Sequence, residues 1–161
     1  MSSNSLQPGE MAPDFTLPRD GGATVTLADL QGAPVVIYFY PEDGTPSCTT
    51  EAQSFSALAD DFAATGTRVF GLSRDSVAKH DKFIAKQGLK LALLSDETGA
   101  VSDAYGFWVE KQMYGRTYMG MERSTVLIDA EGRIAQIWRK IRVKGHAAEV
   151  LAAAQALTAS S

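Results

Sequence analysis

Six consecutive residues, Val35 to Tyr40 (VVIYFY), are all β-branched or aromatic, and prolines stand on both sides at Pro34 and Pro41. Such a segment has no polar side to turn to water, so it reads as a strand covered on both faces, at the centre of a layered sheet. No apolar run approaches the roughly 20 residues that a membrane-spanning helix needs.

Around that strand, strand and helix signals alternate with no repeat, low-complexity tract or linker. At 161 residues the chain is expected to form a single domain over 1–161. DFTLPRDGGATVTLADL reads as two short strands about Asp20, Gly21 and Gly22, the first ended by Pro18. Phe55, Leu58 and Phe62 recur at helical spacing and predict an amphipathic helix over Thr49 to Ala64. TRVFGLS is the next strand, and SVAKHDKFIAKQG a helix with Val77, Phe83 and Ile84 inward and Gly88 as its stop. LALLSD is a third core strand and GAVSDAYG a short helix. STVLIDAEGRIAQIWRK is a pair of strands turning at Ala130 to Gly132, and HAAEVLAAAQAL a last helix. The order β-β-β-α-β-α-β-(α)-β-β-α gives an α/β chain with a mixed sheet and helices on both faces. Residues 1 to about 10 are expected to be a loose arm, and the terminal TASS to fray.

The formal net charge of −4 gives no basic footprint for nucleic acid, and WRKIRVKGH, Trp138 to His146, reads as a solvated strand edge and turn. The first fifteen residues lack the basic and then apolar regions of a secretory signal, so a cytoplasmic address is expected, with no membrane partner. Trp108, Trp138 and the aromatics Tyr38 to Tyr40 are expected to fill the core or its rim rather than stack on a cofactor. There is no glycine-rich phosphate loop, and one cysteine with His80 and His146 far away offers no metal-ligand spacing. Neither a cofactor nor a metal is expected.

The remaining signal is Cys48, the single cysteine, in FYPEDGTPSCTTEA. Thr45 followed by Pro46 reads as an N-cap and a first helical residue, with Ser47 an alternative cap. Cys48 then falls in the first helical turn, where unpaired N–H groups and the helix dipole stabilise an anion and favour thiolate. The competing reading is a small buried hydrophobe. The absence of a CxxC pair counts against thioredoxin-type disulfide exchange, which needs two thiols in one turn.

Pro41, Thr45 and Cys48 form P-x-x-x-T-x-x-C, which resembles the signature of peroxiredoxins. YFYPEDGTPSCTTEA, together with PDFTL, GLSRDS, LLSD, ERSTVLID and WRKIRVKGH in order, is similar to the bacterioferritin comigratory protein, or PrxQ, subfamily. The resemblance implies a thioredoxin-like fold with an amino-terminal hairpin, and reduction of hydrogen peroxide and organic hydroperoxides. It implies that Cys48 is the peroxidatic cysteine, Thr45 the hydroxyl that bonds the peroxide, and Pro41 the shield against water. Arg123 would be the guanidinium near the sulfur, and Glu51 the acid that orients it.

Members of that subfamily often carry a second, resolving cysteine; the two usual places are here Gln53 and Ile84, and Ser47 stands where glycine is usual. A one-cysteine form must be resolved by an external thiol, with thioredoxin, glutaredoxin or glutathione as candidates and the chain a monomer or weak homodimer. The competing functional reading is a redox-responsive binding or chaperone-like module with slow turnover, and a third is a structural module with an inert thiol.

Overall fold

The VVIYFY run forms β3 (Val35–Phe39), and every residue of it is buried. The computed structural model describes residues 6–159. β3 lies at the middle of a five-stranded sheet, parallel to β4 (Arg68–Ser73) and antiparallel to β8 (Ser124–Ile128). β5 (Ala92–Ser95) continues the sheet beyond β4, and β9 (Ile134–Trp138) lies antiparallel beyond β8.

The side-chain alternation of β3 separates two cores, as a strand's twofold period requires. Val35, Ile37 and Phe39 join Phe70, Leu72, Leu94, Val126 and Ile128 on one face. That face is covered by the hairpin β1 (Thr16–Pro18) and β2 (Thr24–Thr26), by Val101 of α4 (Ala100–Ala104), and by Tyr105 and Phe107. Val36, Tyr38 and Tyr40 face the other way, against α1 (Pro46–Ala57), α2 (Ala59–Ala64), α3 (Val77–Gln87) and α5 (His146–Ala159). Helices therefore cover both faces, unequally. The mixed sheet with an amino-terminal hairpin agrees with the expected fold class.

Four details differ from the sequence reading. The helix expected over Thr49 to Ala64 begins at Pro46 and is broken at Leu58, whose backbone (φ −100°, ψ 10°) leaves the helical region. Phe55 and Phe62 still meet across the break, with ring centroids 6.0 Å apart. Residues 7–10 are not a loose arm: Gly9 N–H donates to the Ile134 carbonyl, Ile134 N–H donates to the Glu10 carbonyl, and Met11 bridges to Arg133. The exposed edge of β9 offers unpaired backbone groups, and the arm satisfies them. Thr158 and Ala159 of the carboxyl-terminal TASS complete α5; Met1–Ser5, Ser160 and Ser161 lie outside the described residues. Finally, β6 (Trp108–Met113) and β7 (Arg116–Met121) form a hairpin that the sequence reading left out. Its two-residue turn, Tyr114 (φ 53°) and Gly115 (φ 77°), is left-handed at both positions, as a tight hairpin needs. A tyrosine in place of the usual Asn or Asp hides that turn.

Gly71 of β4 is there for close approach: a Cβ would lie 2.7 Å from both Leu93 Cδ2 and Tyr38 Cζ. Gly71→Ala is expected to destabilise the fold by about 1–3 kcal/mol, the scale of core overpacking. Urea denaturation measures this, and an unchanged midpoint would contradict the packing described.

Candidate active site

β3 ends at Phe39, and the loop from Tyr40 to Thr45 leads from the sheet into α1. Thr45 is the N-cap (φ −72°, ψ 153°) and Pro46 the first helical residue, where a missing N–H costs nothing. The Thr45 hydroxyl does not cap the helix. It donates to the Glu42 carbonyl at 3.2 Å, while the Thr45 carbonyl accepts from Thr49 N–H at 2.9 Å. Pro41 is exposed at the start of this loop, and Ser47 is exposed in the first turn. Cys48, third in the helix, is only 1% exposed.

Arg123 lies between β7 and β8 and reaches under α1. Its Nη2 donates to Cys48 Sγ at 3.4 Å and its Nη1 to Glu51 Oε1 at 2.5 Å. Glu51 follows Cys48 by three residues, so both point from one face of α1 to a single guanidinium. The structure thus brings Cys48, Glu51 and Arg123 together from positions up to 75 residues apart. Gln53 and Ile84 are bound elsewhere: the Gln53 amide donates to Gln87 Oε1 at 3.0 Å, and Ile84 packs against the helical core.

Burial pushes the Glu51 carboxyl up to about 7 against the opposing pull of Arg123. Burial also works against the Arg123 charge, but Glu51 and Cys48 outweigh it and hold the guanidinium above its ordinary range. Behind this pair, Glu51 Oε2 and the Tyr38 hydroxyl are buried with no hydrogen-bond partner among the described residues. Burial, then Glu51, raises the pKa of Tyr38 well above its usual range, so the hydroxyl stays protonated. The Tyr38 ring is held by stacking on Phe55, 4.6 Å between centroids.

A second network fixes the loop and escaped the sequence reading. Asp43, buried, accepts from the Tyr40 hydroxyl at 2.5 Å and pairs with His80 Nδ1 at 2.6 Å; His80 Nε2 donates to the Leu94 carbonyl at 2.9 Å. Asp43 N–H donates to Asp75, which also accepts from Ser73 and pairs with Lys79. The spacing of Val77, His80 and Phe83 put His80 on the inward face of α3, but nothing local links it to Asp43. Asp43, Asp75 and His80 hold ligand-type atoms within 4.8 Å of one another. Both His80 nitrogens and both Asp43 oxygens already have protein partners, so this donor set is a closed network and does not fit an ion.

Trp108 and Trp138 sit at the rim as expected, Trp108 beneath the Arg74 guanidinium at 3.3 Å and Trp138 donating to Glu149 at 3.1 Å. Tyr38, Phe39 and Tyr40 are core residues.

Comparison with known proteins places this geometry in a family. A model described as the AhpC/TSA family matches residues 8–137. Peroxiredoxin Bcp of Bacillus subtilis is 46% identical over 147 residues, covering 91% of this chain and 94% of its own. Peroxiredoxin Bcp of Xanthomonas campestris is 48% identical over 143 residues, 89% of each chain. The solved structure of Xanthomonas campestris Peroxiredoxin Q superposes with a TM-score of 0.89 at 45% identity, covering 94% of this chain and 98% of that one. Another, of the Bacterioferritin Comigratory Protein of Xanthomonas campestris in trapped intermediate and ligand complexes, concerns its alkyl peroxide reduction activity; it has a TM-score of 0.89 at 44% identity, covering 94% and 99%.

The raised carboxyl has a definite sign in stability. Between its ordinary value of 4.5 and about 7, Glu51 binds more protons folded than unfolded, so the fold loses stability as pH rises through that window. Where His80 is concerned, burial opposes the charge and Asp43 outweighs it, raising the imidazole above 6.5; its contribution is full below that value and likewise lost as pH rises. Denaturation midpoints are expected to fall with pH across this range, and Glu51→Gln to flatten the profile between 4.5 and about 7. A variant profile parallel to wild type would remove Glu51 as the source.

Proposed function

The chain belongs to the AhpC/TSA family and, within it, to the bacterioferritin comigratory protein, or PrxQ, group of peroxiredoxins, and on that footing we propose that its peroxidase chemistry runs through Cys48. It is a thiol-dependent peroxidase, an oxidoreductase whose substrate is a peroxide and whose second substrate is a thiol. The observation that carries the assignment of the site is the Arg123 guanidinium, hydrogen-bonded to Cys48 Sγ and Glu51 at once.

In the proposed cycle the Cys48 thiolate attacks the distal oxygen of a hydroperoxide. An S–O bond forms, the O–O bond breaks, and the departing alkoxide or hydroxide takes a proton to leave as alcohol or water. Negative charge moves from sulfur to the leaving oxygen, and Arg123 donates to both sites because its planar fork presents several N–H groups. A more ionised thiol alone would not suffice, since nucleophilicity falls with basicity. The rate must come from position. The Thr45 hydroxyl spends its hydrogen on the Glu42 carbonyl, which leaves its lone pairs to accept the peroxide O–H. Pro41 limits water at the mouth, and Glu51 holds Arg123 in register. Hydrogen peroxide and small organic hydroperoxides are the substrates of this reading.

The sulfenic acid so formed has no thiol in its own chain to condense with. An external thiol, supplied by thioredoxin, glutaredoxin or glutathione, forms a mixed disulfide that a further thiol reduces. Cys48 is only 1% exposed, so attack by that thiol requires local opening around the sulfur. We place the enzyme in the cytoplasm as a single domain, monomeric or weakly dimeric, where reduced thiols are abundant. Among the described residues, no helix is long and apolar enough to cross a membrane.

Intact-mass measurement after one equivalent of hydrogen peroxide is expected to show one oxygen added at Cys48, converted by glutathione to a mixed disulfide. Cys48→Ser should abolish both products, and Arg123→Ala should slow oxidation by roughly 100-fold, the scale of losing an oxyanion donor. Oxidation at wild-type rate in Arg123→Ala would sink the assigned role of the guanidinium.

A further inference from the structure

Between Trp138 and Ala148 the sequence contains no acidic residue but carries Arg139, Lys140, Arg142 and Lys144, in a chain of formal net charge −4. Arg139 serves the fold, pairing with Glu122 at 2.7 Å and lying over the Phe107 ring. Lys140, Arg142 and Lys144 have no such role. They are exposed, and none of the ion pairs or side-chain hydrogen bonds among the described residues uses them. Like charges gathered within five residues repel one another, so the fold alone gives no reason to collect them. Lys140 also holds a left-handed backbone (φ 50°), uncommon for a residue with a Cβ.

The segment is not a featureless edge. With Trp138, His146 and Glu149 it lines an open pocket of about 330 Å³. One wall is aromatic, Trp138 against His146 edge-on at 5.7 Å. The imidazole hydrogen-bonds with Thr125, and burial keeps it below its ordinary value, so the positive charge of the pocket comes from the loop. The loop that lines the pocket is tied to the backbone of Arg123: Ile141 N–H donates to the carbonyl of Arg123 at 3.1 Å, and Trp138 is paired with Thr125, two residues beyond Arg123.

A cationic pocket of the size that takes small ligands, attached to the backbone of the arginine that touches Cys48, stands in an enzyme that must recruit its second substrate from solution. The geometry points to this pocket as the docking site of the reductant, a small peptide thiol bearing two carboxylates, of the glutathione class. Its carboxylates meet Lys140, Arg142 and Lys144, and its ammonium faces Glu149. This inference rests on the peroxidase reading of Cys48. The docked thiol attacks the Cys48 sulfenic sulfur: an S–S bond forms, the S–O bond breaks, and the hydroxyl leaves as water with the thiol proton. A second thiol of the same kind then releases the disulfide and restores the Cys48 thiol, so two thiols supply the two electrons.

The test uses the full chain and the triple variant Lys140→Glu, Arg142→Glu, Lys144→Glu, with circular dichroism to establish that it folds and hydrogen peroxide oxidation of Cys48 as the basal reaction. S-methylglutathione, which cannot react, is titrated against the Trp138 indole signal by NMR. It is expected to shift that signal in wild type and not in the variant. The peroxide-oxidised protein is then reduced with three small thiols, glutathione, uncharged 2-mercaptoethanol and cationic cysteamine, and separately with a reduced thioredoxin. The glutathione rate is expected to fall at least about tenfold in the variant, the lower range of electrostatic recruitment, while the 2-mercaptoethanol rate stays unchanged. Equal glutathione rates in the two proteins, equal slowing with all three thiols, or loss confined to reduction by a thioredoxin would each overturn the inference, the last by making the pocket a protein-docking surface. Failure of wild-type Cys48 to oxidise would instead refute the peroxidase reading, and the binding titration would still decide the pocket.

Discussion

Burial of β3 on both faces is the constraint from which the architecture follows. Its residues carry no polar side chain except the Tyr38 hydroxyl, and its backbone groups must all be paired within a sheet. The strand is therefore central, flanked by β4 and β8, with one layer on the Val36–Tyr38–Tyr40 side and another on the Val35–Ile37–Phe39 side. The same placement delivers the loop after Tyr40 to the carboxyl end of the sheet, where a helix must begin. Cys48 owes its position at a helix amino terminus to that geometry. Its burial comes from Phe55 and Ala52 on the same face of α1, which anchor the helix on the sheet.

Placing three ionisable side chains at such a point has a stability cost. Glu51 is as buried as Cys48, and its carboxylate is only partly compensated by Arg123, which is why its ionisation is deferred to about 7. The unpaired Tyr38 hydroxyl and Glu51 Oε2 add to that burden. Active sites commonly trade stability for electrostatic organisation in this way. Here the burial cost accompanies a guanidinium held against the Cys48 sulfur.

The approach loop is stiffened from the opposite side. Asp43 ties it to Tyr40 on one flank and to His80 of α3 on the other, while Glu42 reaches Lys79 at 2.7 Å. α3 thus bears on the candidate site without touching it, by holding the backbone that ends at the Thr45 N-cap. On the other side of Arg123, the β6–β7 hairpin brings Lys111 within electrostatic reach of Arg123 and Cys48; burial and the guanidinium lower its amine. The tip beyond it is exposed, Tyr114 to 97%.

Local physics made much of this legible in sequence. The VVIYFY run specifies a two-faced central strand, Thr45–Pro46 specifies a helix start that sets Cys48 in the first turn, and Gly88 ends α3 in a left-handed conformation. The motif resemblance singled out Arg123 and Glu51, which composition and spacing alone leave as a strand arginine and a helix acid. Tertiary structure decided what depends on distant partners. Asp43 meets His80 across 37 residues, Arg123 meets Cys48 across 75, and the arm at Gly9 and Glu10 is ordered because β9 presents an unpaired edge. Hydrogen bonds and ion pairs of this range leave no periodic trace in the chain. Sequence determines which faces must be buried and where helices can start; only the folded chain determines which charges share one buried space.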